Sequence, residues 1–168
     1  SNNYGFCCLR DDGSIVLLGN SGAFVLGGSS GSKFSDVKSN LTSGVTNIYA
    51  NGYSFAALKT NGSVVTWGQA AYGGDSSTLY SQSGSEVISS GIARIVTNLN
   101  DGNKLDYIKR VIGNTSYIAE TTSGELVFWG STSYDLANIN IAIAGAGIPN
   151  MSEIKKICQV NESTAILK

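Results

Sequence analysis

The chain has 168 residues and no histidine. A serine or cysteine nucleophile with an imidazole base therefore cannot be assembled, nor can a zinc site with a histidine ligand. The three cysteines, Cys7, Cys8 and Cys158, lack metal-ligand spacing. Neighbours on a strand point to opposite faces, so Cys7 and Cys8 are not expected to bond to each other. Paired carboxylates occur at Asp11 and Asp12, and at Glu120 and Glu125 around a predicted turn. Turn chemistry accounts for them better than acid–base work, because Asp12 precedes Gly13 as Asn61 precedes Gly62. The stretch with most to offer a ligand is Gly73-Gly-Asp-Ser-Ser77 beside Tyr72, with backbone amides, a carboxylate and two hydroxyls. Tyr72, Gly74, Asp75, Ser76 and Ser77 are thus the candidate binding residues, for a sugar or a metal ion. The competing reading is a glycine-rich turn, since the carboxylate density of a calcium loop is missing. No glycine run leads into a Gly-Lys-Ser/Thr helix start. No catalytic residue, metal ligand or cofactor is assigned, and the chain is not expected to be an enzyme.

The elements that must carry these residues repeat. Tyr53-Ser-Phe-Ala-Ala-Leu-Lys-Thr-Asn-Gly-Ser-Val-Val-Thr-Trp-Gly68 holds two short apolar runs joined by Asn61 and Gly62, which predicts a hairpin with a type I′ turn. Tyr4-Gly-Phe-Cys-Cys-Leu-Arg-Asp-Asp-Gly-Ser-Ile-Val-Leu-Leu-Gly19 and Thr115-Ser-Tyr-Ile-Ala-Glu-Thr-Thr-Ser-Gly-Glu-Leu-Val-Phe-Trp-Gly130 repeat the pattern, and a fourth copy starts at Glu162. Gly13, Gly62 and Gly124 mark intervals of 49 and 62 residues, the period of propellers and similar arrays. The approximate units are 1–40, 41–90, 91–150 and an incomplete 151–168. Cys7 and Cys8 match Ala56 and Ala57, so both are expected to be small buried residues.

A further β-prone run precedes each later hairpin, around Val45, Ile108 and Ile154, so each repeat offers at least three strands. Connections rich in Gly, Ser and Asn follow the hairpins, and a fourth strand or a short helix is left open for 79–88 and 136–143. No long amphipathic helix is visible, and the expected class is all-β with antiparallel sheets. Alternation places Phe55, Ala57 and Lys59 on one face and Ser54, Ala56 and Leu58 on the other. Trp67, Trp129 and their counterpart Leu18 end the hairpins with bulk to set against a neighbour.

Charged residues are 14% of the chain and balance to −1, with basic residues scattered apart from Lys109-Arg110 and Lys155-Lys156. A face able to neutralise several phosphates is absent, so nucleic acid is not an expected partner. The run 139–148 is about half the length that spans a bilayer, so membrane insertion is not expected either. Asn-x-Ser/Thr triplets begin at Asn40, Asn61, Asn114, Asn150 and Asn161 and bear on glycosylation only in a secreted protein.

Phe55-Ala-Ala-Leu-Lys-Thr-Asn-Gly-Ser-Val-Val-Thr-Trp-Gly68 followed by Tyr72-Gly-Gly-Asp75 resembles the repeat of the regulator of chromosome condensation family, best over residues 45–75. The third unit departs at Ala119-Glu-Thr-Thr-Ser123, and the first has Leu18 in place of Trp. The resemblance implies a β-propeller in which each sequence repeat contributes to two adjacent blades. Closure takes about four to eight blades, so a partial propeller is expected, either a segment of a longer array or one completed by association of chains. The expected role is a non-catalytic binding or scaffold module of a larger extracellular or cell-surface protein. Its loops, notably 98–106 and 134–149, would face a protein partner or further repeats of the same or another chain. The alternatives are a carbohydrate-binding, lectin-like module using Tyr72, Tyr80 or Tyr134 with Asp75 or Asp135, and, by what the resemblance implies, a regulator of a small GTPase.

Overall fold

The computed structural model describes residues 1–2, 5–19, 31–32, 34–76, 78–81, 86–89, 95–96, 105–112, 116–121, 126–130, 156–160 and 163–167. Of the sequence expectations, those on Ser77, Tyr134, Asp135, the connection 27–30 and the stretches 97–104 and 131–149 lie outside these residues. The described chain is mostly antiparallel β-sheet with little helix. Its strands are β1 (Gly5–Leu9), β2 (Ile15–Gly19), β3 (Gly31–Ser32), β4 (Val45–Ala50), β5 (Ser54–Lys59), β6 (Val64–Gln69), β7 (Thr78–Ser81) and β8 (Glu86–Ser89). They continue with β9 (Ile95–Val96), β10 (Leu105–Ile112), β11 (Ser116–Thr121), β12 (Leu126–Gly130), β13 (Lys156–Val160) and β14 (Ser163–Leu167). The described residues of the region 79–88, open between strand and helix on periodicity, are strand, in β7 and β8. No described helix is long and apolar enough to cross a membrane.

The repeat is carried into the backbone register. Gly5 faces Gly19, Ser54 faces Gly68 and Ser116 faces Gly130, and the pairing runs in step from there in all three hairpins. The β4–β5 pairing is repeated by β13–β14, where Cys158 faces Ala165 as Tyr49 faces Ala56. The hairpin turn differs from the expected type I′. Gly62 N donates to Lys59 O and Lys59 N to Ser63 O, both at 2.9 Å, so Thr60 and Asn61 are central and Gly62 follows at φ +80°. Asn61 Oδ1 accepts from Ser63 N at 3.0 Å and Ser63 Oγ at 2.7 Å. This side-chain closure suits a type I turn that ends in a left-handed glycine and asks only one residue to reach positive φ. Arg10, Gly13 and Ser14 repeat the geometry, with Gly13 at φ +75° and Asp12 Oδ1 accepting from Ser14 N.

Sheets are shared between units. One has the order β3-β6-β5-β4, with β9 also on β6, and another has the order β10-β11-β12-β7-β8. Beside β6, β3 thus comes from the first unit and β9 from the third, and the strand β7 beside β12 comes from the second. The leading strands β4, β10 and β13 lie next to one another in that sequence.

Alternation then assigns the faces as expected. Phe55, Ala57, Val65 and Trp67 form one buried cluster with Val37, Leu41 and Val45, and Cys7, Ile15 and Leu17 of β1–β2 pack onto it. Val37 and Leu41, four residues apart, come from the helix α1 (Phe34–Val37) and the 3-10 turn Lys38–Leu41, a spacing that places both on one side. Phe55 and Trp67 stack with ring centroids 5.3 Å apart, and Phe34 tilts onto Trp67 at 5.7 Å. The expectation of two buried cysteines holds only in part. Cys7 is half-buried against the second unit, whereas Cys8 points to the opposite side and is exposed.

Candidate functional site

The candidate loop begins where β6 ends. Ala70–Tyr72 makes one 3-10 turn, and Gly73 closes it at φ +87° by donating its N–H to Ala70 O. Gly74 N donates to Gln69 O at 3.0 Å. Both glycine amides are therefore committed inside the loop and offer no cradle to an anion. Four of the five predicted residues, Tyr72, Gly74, Asp75 and Ser76, come together in this connection, and Ser77 lies outside the described residues. Gly74 and Ser76 are buried, whereas Tyr72 and Asp75 keep partial exposure.

The carbonyls of the loop are occupied by neighbouring side chains. Asn51 Nδ2 donates to Tyr72 O at 2.8 Å, while Asn51 Oδ1 accepts from Tyr53 N at 2.9 Å and Ser54 N at 2.8 Å. Ser54 Oγ lies 2.6 Å from Tyr72 O and 3.0 Å from the Tyr117 hydroxyl. Ser54 Oγ also lies 3.0 Å from Asn51 Oδ1, so its one proton goes to these two acceptors, the carbonyl being nearer, and it accepts from Tyr117. Thr66 Oγ1 donates to Gly74 O at 3.3 Å and lies 3.0 Å from Ser76 Oγ. Trp129 Nε1 donates to Gly73 O at 3.3 Å. A Cβ added to Gly73 would sit 2.7 Å from Tyr117 Cδ2, so the loop backbone rests directly on that ring. Tyr117 and Trp129 stack on each other at 5.2 Å, as Phe55 and Trp67 do one unit earlier. Full burial pushes the Tyr117 hydroxyl well above the usual tyrosine range.

The loop is thus a joint between the second and third units. Within it Ala71 is exposed, while Tyr72, whose ring stacks on Tyr53 with centroids 4.4 Å apart, and Asp75 are partly exposed. A partly exposed aromatic ring can stack on the apolar face of a sugar. Among the described residues, no group of three or more His, Cys, Asp or Glu is placed to hold a metal ion.

Other features were missed by sequence reasoning. A groove of about 290 Å³ is lined by Arg10, Asp12, Ser14, Ile15, Lys38, Leu41 and Thr42. Asp12 is held below the usual carboxylate range by hydrogen bonds from Ser14. These residues come from the first hairpin turn and from the helical turn before β4, and no spacing announces their meeting. The Asn51 bracket had a visible signal, because Asn2 Oδ1 accepts from Gly5 N at 2.9 Å with the same three-residue separation. Cys7, Ile15 and Leu17 close the other side of the cluster, and burial pushes the Cys7 thiol up to about 12.

Comparison of the chain with models of known families finds no match, and a search of curated proteins finds no relative.

Proposed function

We propose that the chain is a non-catalytic binding or scaffold module, a stretch of β-propeller of the regulator of chromosome condensation type. It belongs to an extracellular or cell-surface setting and offers loops to a protein partner. The observation that carries this reading is the sharing of sheets, with β3 of the first unit beside β6 and β7 of the second unit beside β12. Such an exchange ties each unit to the next, and the adjacency of β4, β10 and β13 suits strands gathered toward a common axis. Connections on a rigid repeated support can vary without cost to the core, which is where recognition is placed. The test is to replace residues 98–104 with a Gly/Ser linker of equal length, leaving β10 intact, and to compare capture of the partner from extracts of the source. Loss of a specific captured protein with an unchanged circular dichroism spectrum supports the proposal, and undiminished capture removes that loop as the recognition site.

A carbohydrate-binding reading is favoured by the partly exposed ring of Tyr72, stacked on Tyr53. Glycan-array binding lost in Tyr72→Ala would establish it, and silence of the folded wild type would discard it.

A further inference from the structure

An asparagine followed by glycine is open to attack on its side chain by the next backbone nitrogen, because a residue without a Cβ leaves that nitrogen uncrowded. The chain has two such pairs, Asn51-Gly52 and Asn61-Gly62. The fold treats them differently. Asn61 is exposed at a hairpin turn, where its side chain closes on Ser63. Asn51 is 5% exposed, Gly52 is buried beside it, and the Asn51 amide forms the bracket under the loop. Its Nδ2 donates to Tyr72 O at 2.8 Å, and its Oδ1 accepts from Tyr53 N at 2.9 Å, Ser54 N at 2.8 Å and Ser54 Oγ at 3.0 Å.

We propose that Asn51 is a modification site, a latent point of deamidation whose conversion unties the second unit from the third. In the reaction Gly52 N gives its proton to a base in solvent and bonds to Asn51 Cγ, the Cγ–Nδ2 bond breaks, and the nitrogen leaves as ammonia. Water then opens the ring to aspartate or isoaspartate, so neither oxidant nor reductant is required. In either product the N–H donor to Tyr72 O is gone. A carboxylate stands in its place, and as a charged acceptor it draws the single Ser54 Oγ proton away from Tyr72 O. The carbonyl thus loses both donors, next to a charge that is buried. While the joint is closed, burial keeps base and water from Gly52 N and Asn51 Cγ. Conversion of Asn61 to aspartate has no such consequence. Asp12 holds the equivalent place in the first hairpin, where its Oδ1 accepts from Ser14 N as Asn61 Oδ1 accepts from Ser63 N. The inference goes beyond the proposed recognition role, because it concerns a buried joint and not the exposed connections.

Incubation of the 168-residue chain at mildly alkaline pH, folded and in urea, with mass-spectrometric peptide mapping of both pairs, tests it. In urea the two asparagines are expected to react at rates within about threefold of each other, whereas folding slows Asn51 about tenfold or more and Asn61 less. When urea is removed, chains converted to aspartate at Asn61 alone refold, and those converted at Asn51 remain protease-sensitive. Asn51→Asp lowers the urea midpoint, and Asn61→Asp leaves it unchanged. The mapping uses the wild type alone, so a variant that fails to fold leaves the test intact. Folding that slows Asn51 no more than Asn61 overturns the proposal, as does an Asn51→Asp chain with the wild-type midpoint.

Discussion

The joint between the first and second units and the joint between the second and third share one backbone register and differ in chemistry. Among the described residues the first is apolar. Cys7, Ile15 and Leu17 meet Phe55, Ala57, Val65 and Trp67, and Trp67 Nε1 is buried with no hydrogen-bond partner among them. The second is stitched, since Tyr117 bonds Ser54 and Trp129 Nε1 bonds Gly73 O. The difference follows from a few positions: where the second unit has Ser54 and Thr66 the first has Gly5 and Leu17, and where the third has Tyr117 the second has Phe55. A hydroxyl entered one ring position together with a hydroxyl to receive it. Had only one come, a buried polar group would have been left unpaired at about 1–3 kcal/mol. The repeat therefore tolerates changes that come in pairs across a joint, and its shape survives a change from apolar to hydrogen-bonded contact.

The comparison breaks most readily at Trp67. Trp67→Ala removes the largest wholly buried side chain among the described residues of the apolar joint and is expected to cost about 3–5 kcal/mol in urea unfolding. Leu18→Ala, at the equivalent but exposed position, costs below about 1 kcal/mol, so similar losses would remove the distinction between covered and bare faces. Gly73→Ala attacks the stitched joint, where positive φ and the Tyr117 ring both oppose a Cβ, at about 2–4 kcal/mol by the same measurement.

Ser54→Ala leaves the Tyr117 hydroxyl buried without that partner and is expected to cost about 1–3 kcal/mol, part of which is recovered when Tyr117→Phe is added. The pH dependence of unfolding sharpens this point. Tyr117 has its folded pKa raised above the ordinary value of 10.0, so the folded state holds the proton more tightly than the unfolded chain. Its contribution is complete below about pH 10 and is lost as the pH rises further. Tyr117→Phe should flatten that alkaline decline, and an unchanged slope would show that the hydroxyl is not buried as described. The smallest effect is on reactivity rather than stability. With iodoacetamide at mildly alkaline pH and peptide mapping, Cys8 should be modified about tenfold or more faster than Cys7, whose thiol is pushed up to about 12.

Much of the local structure is legible in the residues. Alternation along 54–59 assigns Phe55 and Ala57 to one face and Ser54 and Ala56 to the other, and both faces are found so. The hairpin is announced by Asn61 and Gly62, although the turn type is not, because Ser63 supplies the N–H and the hydroxyl that hold Asn61 in the turn. The candidate loop is legible as a cluster of glycines, carboxylate and hydroxyls. Its use as a joint is not, because Tyr117 and Trp129 lie far along the chain from Tyr72 and Gly73.

The sequence by itself determined the β class, the repeat, the hairpin positions and the sidedness of β5, which depend on propensity, turn residues and alternation along the chain. Only the tertiary structure decided that β3 and β7 join the sheet of the following unit, that Tyr117 completes its hydrogen bond on Ser54, and that Phe6 and Leu18 are exposed. Backbone propensity and alternation act along the chain and can be read there. Strand exchange and side-chain pairing between units are settled by which distant surfaces fill each other's space and satisfy each other's polar atoms.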